Sequence, residues 1–317
     1  MYPSEIIIEV TNRCNIRCKF CHFHGEGAIK KRDIGDMPDY VWKKVLRDVE
    51  AWSSVDKQVT LCFHGAGEPL LHPKLKEILA RARKVSGASI GFMTNGMLLD
   101  ESWAEFLVAL PVDWVWFSID SNSPAINDRY RKGSKLEKIV WNVERLVERK
   151  ERSKSSLPIL NFNMVAYPDV KREDIDDYLK KWIPHASCIS VSRFRPIPSK
   201  RLLTVDERKR LISKPCPLLY RQIVISWDGK VGLCCEDINI DVVLGNIVKQ
   251  GILEIFNGEK INKIRVLHEK KKKGKIPLCK ECDMWAADEV LSERIEEICG
   301  VRVNVLEKPS GTVYLRI

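Results

Sequence analysis

Short apolar runs alternate with amphipathic helical patterns through the first two-thirds of the chain. Runs such as EIIIEVT (5–11) and KQVTLCFHG (57–65) are typical of buried strands, whereas PDYVWKKVLRDVEAW (38–52) repeats its apolar residues at helical spacing. The predicted strands are 5–11, 57–65, 88–96, 112–120, 158–167 and 188–197, and the predicted helices between them are 38–52, 73–85, 101–110, 124–131, 135–152 and 172–183. Repeated βα units predict an α/β fold with a parallel sheet, either doubly wound or a barrel. In both folds the chemistry lies at the carboxyl ends of the strands.

The pattern changes after about residue 196, where the regular alternation of strands and helices ends. RQIVISWDGKVGLCC (221–235) predicts a β-hairpin, because two β-rich runs flank Asp228-Gly229, a favourable turn pair. Further predicted elements are helices at 251–257, 259–270 and 284–299 and two strands around Pro309-Ser310-Gly311. The predicted organisation is therefore a barrel-type domain (1–200), a small α+β domain (201–285) and a C-terminal helix with a β-hairpin (286–317).

Composition is that of an ordinary globular protein, with 44% hydrophobic and 30% charged residues. No run of about 18 apolar residues predicts a transmembrane helix. No signal-peptide pattern precedes the first apolar run, so we expect a cytoplasmic protein without a membrane partner. The net charge is +10, partly concentrated in HEKKKKGK (268–275). Because no aromatic residue interrupts that run for base stacking, a solvated loop is favoured over a nucleic-acid site.

The 11 cysteines fall partly in close groups, which in a reducing compartment indicate metal or redox chemistry rather than disulfides. The first group, CNIRCKFC, places Cys14, Cys18 and Cys21 directly after the first predicted strand. Three thiolates on one loop suit a four-iron cluster in which one iron has no protein ligand. A zinc site completed by His22 or His24 is the alternative.

Further motifs follow CNIRCKFC in an order that resembles the radical S-adenosylmethionine (radical SAM) superfamily. They are the glycine-rich HGAGEPLLHP (64–73), MTNG (93–96) and FSID (117–120), and the resemblance extends from residue 5 to about residue 197. It implies a partial (β/α)6 barrel, a [4Fe–4S] cluster held by Cys14, Cys18 and Cys21, and SAM chelating the open iron. Reduction of that cluster, by an electron donor such as flavodoxin or ferredoxin, would cleave SAM to a 5′-deoxyadenosyl radical that abstracts hydrogen from the substrate.

The same resemblance assigns side chains to SAM. Glu68 would offer its carboxylate to the methionyl ammonium, and Gly67 would allow close approach. Ser118 and Asp120 would hydrogen-bond the ribose. The expected SAM-binding residues are Phe20, Gly65, Gly67, Glu68, Asn95, Ser118 and Asp120. Ala66 departs from the family pattern, in which glycine is frequent there, and NFNMVAYP (161–168) lacks the glycine motif of the fifth strand.

The second cysteine group has the spacing C-x12-G-x4-C followed by C-x2-C. Its expected ligands are Cys216, Cys234, Cys279 and Cys282, with Cys235 as an alternative to Cys234. Spacing alone leaves zinc and a four-iron cluster open. The radical SAM context favours a cluster, and the layout resembles the SPASM and twitch domains of that superfamily. Because 283–298 contain no cysteine, the shorter twitch domain with one auxiliary cluster fits better. A fully ligated cluster cannot bind substrate, which implies an electron acceptor.

A single twitch cluster with this cysteine spacing is similar to the layout of the deoxy-scyllo-inosamine dehydrogenase family, which oxidises a secondary alcohol to a ketone. We therefore expect a small-molecule substrate, a sugar or aminocyclitol that is dehydrogenated or epimerised. Radical maturation of a ribosomally made peptide is the alternative. Since four residues precede the first predicted strand, a peptide leader would need a separate partner. Arg193, Arg195 and His64 are candidate catalytic residues, because they lie near the ends of predicted strands.

The remaining candidates are assigned to packing. Cys62, Cys188 and Cys299 are predicted in the core, although an epimerase would need a thiol as hydrogen donor. Trp114, Trp116 and Phe117 are likewise predicted in the core of the sheet. A zinc-ribbon protein that binds nucleic acid is the third functional class, and a colourless, zinc-loaded protein would identify it.

Overall fold

The computed structural model describes residues 1–54, 56–110, 112–195, 203, 214–286, 289–309 and 311–317. Its strands are β1 (Glu5–Ile8), β2 (Arg17–Cys18), β3 (Val59–Phe63), β4 (Ala88–Thr94), β5 (Trp114–Ser118), β6 (Arg131–Lys132), β7 (Ile159–Ala166), β8 (Cys188–Arg193), β9 (Gln222–Ile225), β10 (Lys230–Gly232), β11 (Gly245–Asn246), β12 (Ser292–Ile298), β13 (Val301–Glu307) and β14 (Val313–Arg316). Its α-helices are α1 (Asp39–Glu50), α2 (Leu75–Ala82), α3 (Glu101–Ala109), α4 (Pro124–Tyr130), α5 (Leu136–Arg152), α6 (Arg172–Trp182), α7 (Leu218–Arg221), α8 (Ile252–Phe256), α9 (Glu259–Glu269) and α10 (Pro277–Lys280). None of these helices is long and apolar enough to span a membrane. The predicted domain boundary near residue 200 lies outside the described residues.

A parallel sheet in the order β1-β3-β4-β5-β7-β8 forms the centre of the molecule. One face of this sheet is apolar and packs against the helices that connect its strands. Phe63, Phe92, Phe117 and Phe162 on this face are fully buried. The predicted strands and the helices between them are confirmed, and the fold is the expected partial (β/α)6 barrel with a smaller C-terminal part.

Segments from the C-terminal third extend the barrel sheet at both edges, to 12 strands. At one edge β9 pairs in parallel with β1 and places Val224 beside Ile7, and β10 and β11 continue outward. At the other edge β14 pairs antiparallel with β8 and places Tyr314 beside Ser190, followed by β13 and β12. This pairing satisfies the backbone groups that an open barrel would leave exposed at both edges.

The predicted helix over 284–299 is wrong. Ser292–Ile298 is a strand that pairs with β13. Positive φ angles at Cys299 (54°) and Gly300 (77°) turn the chain between these two strands. The charges of SERIEEI suit a helix, but the adjacent β-branched run VRVNV offers strand pairing that outweighs this local preference. Cys299, expected in the core, is exposed at the turn.

Candidate active site

The cysteine loop begins shortly after β1 and folds back on itself. The Cys21 amide donates to the Cys18 carbonyl (3.0 Å), and the His24 amide donates to the Cys21 sulfur (3.2 Å). The His24 ring forms a hydrogen bond with the Asn12 carbonyl (2.8 Å). This bond connects the end of the loop to the residues that precede Cys14. Burial raises the pKa of the Cys14 thiol to about 12, and the neighbouring Cys18 and Cys21 thiolates add to that rise. The structure thus brings together the three cysteines of the first group.

The glycine-rich segment after β3 contacts the backbone that precedes Cys14. The Glu68 amide donates to the Arg13 carbonyl (2.7 Å). A Cβ atom on Gly67 would lie 2.4 Å from the Arg13 oxygen and 2.6 Å from the Thr11 oxygen, closer than such atoms approach. Glycine is therefore required at position 67 for the contact between the two loops, a role beyond its predicted approach to SAM.

Gly67→Ala is expected to lower the free energy of unfolding by about 1–3 kcal/mol, because the added methyl group meets backbone atoms that must move. Gly274→Ala is the matched control, since a Cβ there meets no atom within 4 Å. Urea unfolding of both variants measures the difference. Equal stability of the two variants would show that the loops adjust without cost.

The Glu68 carboxylate joins the glycine-rich segment to the end of β4. It is buried and accepts hydrogen bonds from the Leu70 amide (3.2 Å), the Thr94 hydroxyl (2.8 Å) and the Asn95 amide (2.8 Å). Burial raises the pKa of Glu68 to about 7, against the lowering effect of these three donors. The Asn95 side chain in turn donates to Asn15 in the cysteine loop (2.8 Å). The Asn95 side chain and the Glu68 backbone therefore hold the loop in place, and the contacts of both residues with SAM stay predictions.

Asp120 follows β5 and is fully buried. Its carboxylate accepts hydrogen bonds from Arg131 Nη2 (2.8 Å), the Tyr167 hydroxyl (2.6 Å) and the Val165 amide (3.0 Å). Three protein donors thus surround the side chain that the resemblance assigned to the ribose. Ser118, the other residue assigned to the ribose, ends β5 and is half-buried.

Arg131 is a site residue that the sequence analysis missed. It is 4% exposed and stands opposite Cys18 in the short pairing of β6 with β2. Its Nη1 lies 3.8 Å from the Cys18 sulfur, and its guanidinium lies 5.2 Å from the Phe20 ring centroid. Its Nε has no hydrogen-bond partner among the described residues. Burial raises the pKa of Cys18 to about 11, and Arg131 opposes this by favouring the thiolate. The segment NDRYRKG has no signal that separates this arginine from surface cations.

His64 lies just beyond β3, in a narrow cavity that Arg32, Cys234 and Cys235 also line. Burial lowers the pKa of His64 to about 4, so the ring is neutral at pH 7. Gly65 lies beside the Glu9 side chain, because a Cβ on the glycine would be 2.6 Å from the Glu9 Cβ. His64 therefore faces the second cysteine group as well as the glycine-rich segment.

Arg193 and Arg195, the two candidate catalytic arginines near the end of β8, make separate contacts. Arg195 lies 3.5 Å from a Glu236 carboxylate oxygen. Arg193 is exposed, and a Cβ on Gly311 would lie 2.8 Å from its guanidinium carbon. Arg195 thus links the barrel to the segment after Cys235, while Arg193 lies beside the turn before β14. Substrate contacts of both residues stay predictions.

The second cysteine group surrounds one small cavity. It is lined by Cys216, Cys234, Cys279 and Cys282, together with Leu219, Leu233, Glu236, His268, Lys273, Leu278, Met284 and Trp285. Cys235 lies outside this cavity and lines the one that contains His64. The Lys273 ammonium donates to the Cys282 carbonyl (3.1 Å) and lies over the Trp285 ring (4.8 Å), so part of the basic run borders this cavity instead of being wholly solvated.

In the part of the chain that the structure describes, no three His, Cys, Asp or Glu side chains converge as ligands of a single metal ion. A four-iron cubane presents separate irons, so its thiolates stand apart around a cavity. The apolar walls and buried thiols of the second cavity suit such a cluster.

The interior of the barrel contains a cavity of about 910 Å³ that opens near the amino-terminal ends of the strands. Trp114 and Trp116 line it, and Trp114 packs against the buried apolar cluster of Ile7, Cys62, Val224 and Ile240, whereas Phe117 on the opposite face of the sheet is fully buried. A Cβ on Gly91 would lie 2.1 Å from the Trp114 ring, so this glycine makes room for the indole. The run WVWF is apolar throughout, and so its alternation could not show which face holds which ring.

A family profile described as the radical SAM superfamily matches residues 8–181, more than half of the chain. The chain belongs to the radical SAM superfamily. A second profile, SPASM, described as an iron–sulfur cluster-binding domain, matches residues 216–283, which include the four cysteines of the second cavity. The two profiles together confirm the predicted enzyme class and the predicted cofactors. These cofactors are SAM, the [4Fe–4S] cluster that binds SAM, and an auxiliary [4Fe–4S] cluster.

Among characterised relatives, this radical SAM protein is similar to the S-adenosyl-L-methionine-dependent 2-deoxy-scyllo-inosamine dehydrogenase of Niallia circulans. The two are 26% identical over 293 residues, which cover 88% of this chain and 92% of that protein. The tungsten-containing aldehyde ferredoxin oxidoreductase cofactor-modifying protein of Pyrococcus furiosus is 34% identical over 118 residues, or 36% of this chain. That match spans only 30% of the Pyrococcus protein.

Solved structures share the fold. BtrN in complex with AdoMet and 2-DOIA aligns with a TM-score of 0.59 and 20% identity, covering 89% of this chain and 94% of BtrN. Streptococcus suis SuiB bound to its precursor peptide SuiA aligns with a TM-score of 0.65 and 15% identity, covering 83% of this chain and 67% of SuiB. At such identities the alignments show a common fold and leave the substrate open.

Proposed function

We propose that this radical SAM enzyme removes hydrogen from a polar small molecule, a sugar or aminocyclitol, and that its auxiliary cluster accepts an electron from the substrate. The observation that carries the proposal is the division of the cysteines into three on an open loop and four around one enclosed cavity. With SAM bound, the reduced first cluster supplies a 5′-deoxyadenosyl radical. A second cluster held on all four irons has no place for substrate and suits electron transfer.

Different residues would hold the first cluster, SAM and the auxiliary cluster. Cys14, Cys18 and Cys21 would hold the first cluster. The unpartnered Nε of Arg131, buried beside Cys18, would bind the carboxylate of SAM, because guanidinium groups pair well with carboxylates. The expected ligands of the auxiliary cluster are Cys216, Cys234, Cys279 and Cys282.

A relative of matching length supports the small-molecule substrate. The Niallia relative, whose length this chain nearly matches, is named for an aminocyclitol substrate.

A peptide substrate is the second candidate. It is favoured by the fold shared with SuiB, which was solved with its precursor peptide SuiA.

Anaerobic purification should yield a brown protein with about eight irons per chain, two four-iron clusters. Formation of 5′-deoxyadenosine is then measured with a panel that contains 2-deoxy-scyllo-inosamine, other aminocyclitols, sugars and short peptides. Stimulation by a cyclitol or sugar, with a ketone as product, supports the proposal, whereas an epimer would contradict the role of the auxiliary cluster as electron acceptor. Stimulation by peptides alone would favour the second candidate, and a colourless, zinc-loaded protein would contradict both.

Cys234→Ala is expected to lose the auxiliary cluster and retain about four irons per chain, whereas Cys235→Ala retains about eight. The reason is that Cys234 lines the four-cysteine cavity and Cys235 does not. Iron analysis and electron paramagnetic resonance of the two variants distinguish the neighbouring thiols. Iron loss in Cys235→Ala alone would reverse the assignment. Full turnover of Cys235→Ala would also exclude that thiol as a hydrogen donor.

A further inference from the structure

The ribbon formed by β2 and β6 carries Cys18 and presents cations on its outer side. Its register opposes Cys18 to Arg131 and Arg17 to Lys132. Arg131 is buried, whereas Arg17 and Lys132 are exposed. Lys19, the residue after β2, is also exposed. Arg17, Lys19 and Lys132 are called the ribbon patch below.

The positive charges of the ribbon patch lower the stability of the strand pair that carries them. Arg17 and Lys132 stand directly opposite each other, and like charges in that position destabilise a strand pair. The neighbouring arginines do have carboxylate partners, in the pairs Arg13–Asp36, Arg129–Asp169 and Arg131–Asp120. No carboxylate among the described residues is paired with Arg17, Lys19 or Lys132. A negatively charged partner would relieve this repulsion.

We infer that the ribbon patch is the docking surface for a small acidic protein that carries one electron. The inference rests on the proposed function, in which the first cluster must be reduced from outside the protein. Arg17 and Lys19 flank Cys18 in the chain, so a carrier seated on the patch is one residue away from a cluster ligand. The carrier is oxidised by one electron and the cluster is reduced by one electron.

Charge favours an acidic carrier in particular. The chain has a net charge of +10, and complementary charge accelerates encounter with a partner of opposite sign. Electron-transfer complexes are also small and short-lived, which suits a patch of three side chains on a two-stranded ribbon.

The test compares two reductants on charge-reversed variants of the full-length holoenzyme. Arg17→Glu/Lys132→Glu keeps the like-charge repulsion of the ribbon and reverses its sign. Lys249→Glu/Lys270→Glu is the control, with the same change in net charge at exposed positions of the C-terminal part. With reduced flavodoxin as donor, the ribbon variant should cleave SAM about tenfold more slowly than the control. With dithionite, which needs no docking surface, the two variants should be equally fast.

The single variant Arg17→Glu separates docking from stability. It replaces a repulsive cross-strand pair by a Glu–Lys pair, so its melting temperature should rise, while its rate with flavodoxin falls. Binding of oxidised flavodoxin to the variants, followed by its flavin fluorescence, gives a readout that requires no turnover.

Equal rates and equal binding of flavodoxin in the ribbon variant and the control would overturn the inference. An equal loss with dithionite would also overturn it, because the substitutions would then act on the cluster itself. Failure of the wild-type protein to cleave SAM with dithionite would instead contradict the proposed function, and flavodoxin binding would still decide whether the patch is a docking surface.

Discussion

Cys18→Ala is expected to abolish formation of 5′-deoxyadenosine from SAM and to lower the iron content from about eight to about four atoms per chain. Cys18 is the central cysteine of the loop, and its sulfur lies 3.8 Å from Arg131 Nη1. Without it two thiolates remain to hold the first cluster, and the buried guanidinium loses a partner. Anaerobic reconstitution, iron analysis and chromatography of the SAM products measure the effect.

Cys299→Ala is the matched control for this substitution. Cys299 is exposed at the turn between β12 and β13, so its loss should leave both clusters and turnover unchanged. Retention of SAM cleavage in Cys18→Ala would contradict the assignment of the first cluster, and iron loss in Cys299→Ala would point to a ligand that the structure does not group with the others.

Asp120→Ala should lower the free energy of unfolding by about 3–5 kcal/mol, because it leaves the Arg131 charge buried without its carboxylate. Tyr167 would lose its acceptor at 2.6 Å as well. Asp169→Ala removes the exposed pair with Arg129 and the hydrogen bond from the Tyr130 hydroxyl (2.6 Å). Because these contacts lie at the surface, the loss should be only about 1 kcal/mol. Urea unfolding of the two variants therefore compares a buried and an exposed arginine–aspartate pair on the same segment.

The double variant Asp120→Leu/Arg131→Met tests whether the Asp120–Arg131 pair is needed only for folding stability or also for SAM cleavage. Replacing both charges by apolar side chains should recover much of the lost stability. SAM cleavage should remain low, since the cation beside Cys18 is absent. Recovery of activity together with stability would show that Arg131 has only a structural role.

Much of the barrel could be predicted from the sequence, because each βα unit is local. The run EIIIEVT and the helical repeat over 38–52 both correspond to elements of the structure, β1 and α1. The prediction failed at SERIEEI, where pairing with the next strand, β13, decides between helix and strand. The sequence also could not show on which face of the sheet Trp114 and Trp116 lie, because a parallel strand with two covered faces shows no polar alternation.

The sequence by itself determined the chemistry that depends on close neighbours in the chain. The spacing of Cys14, Cys18 and Cys21 indicates an iron–sulfur loop, because three thiolates a few residues apart on one loop can reach the irons of one cluster. Only the tertiary structure decided which neighbouring thiol, Cys234 or Cys235, lines the auxiliary cavity. It also brought Arg131 to Cys18 across 113 residues. Such contacts follow from strand register and sheet order, which no local pattern of residues specifies.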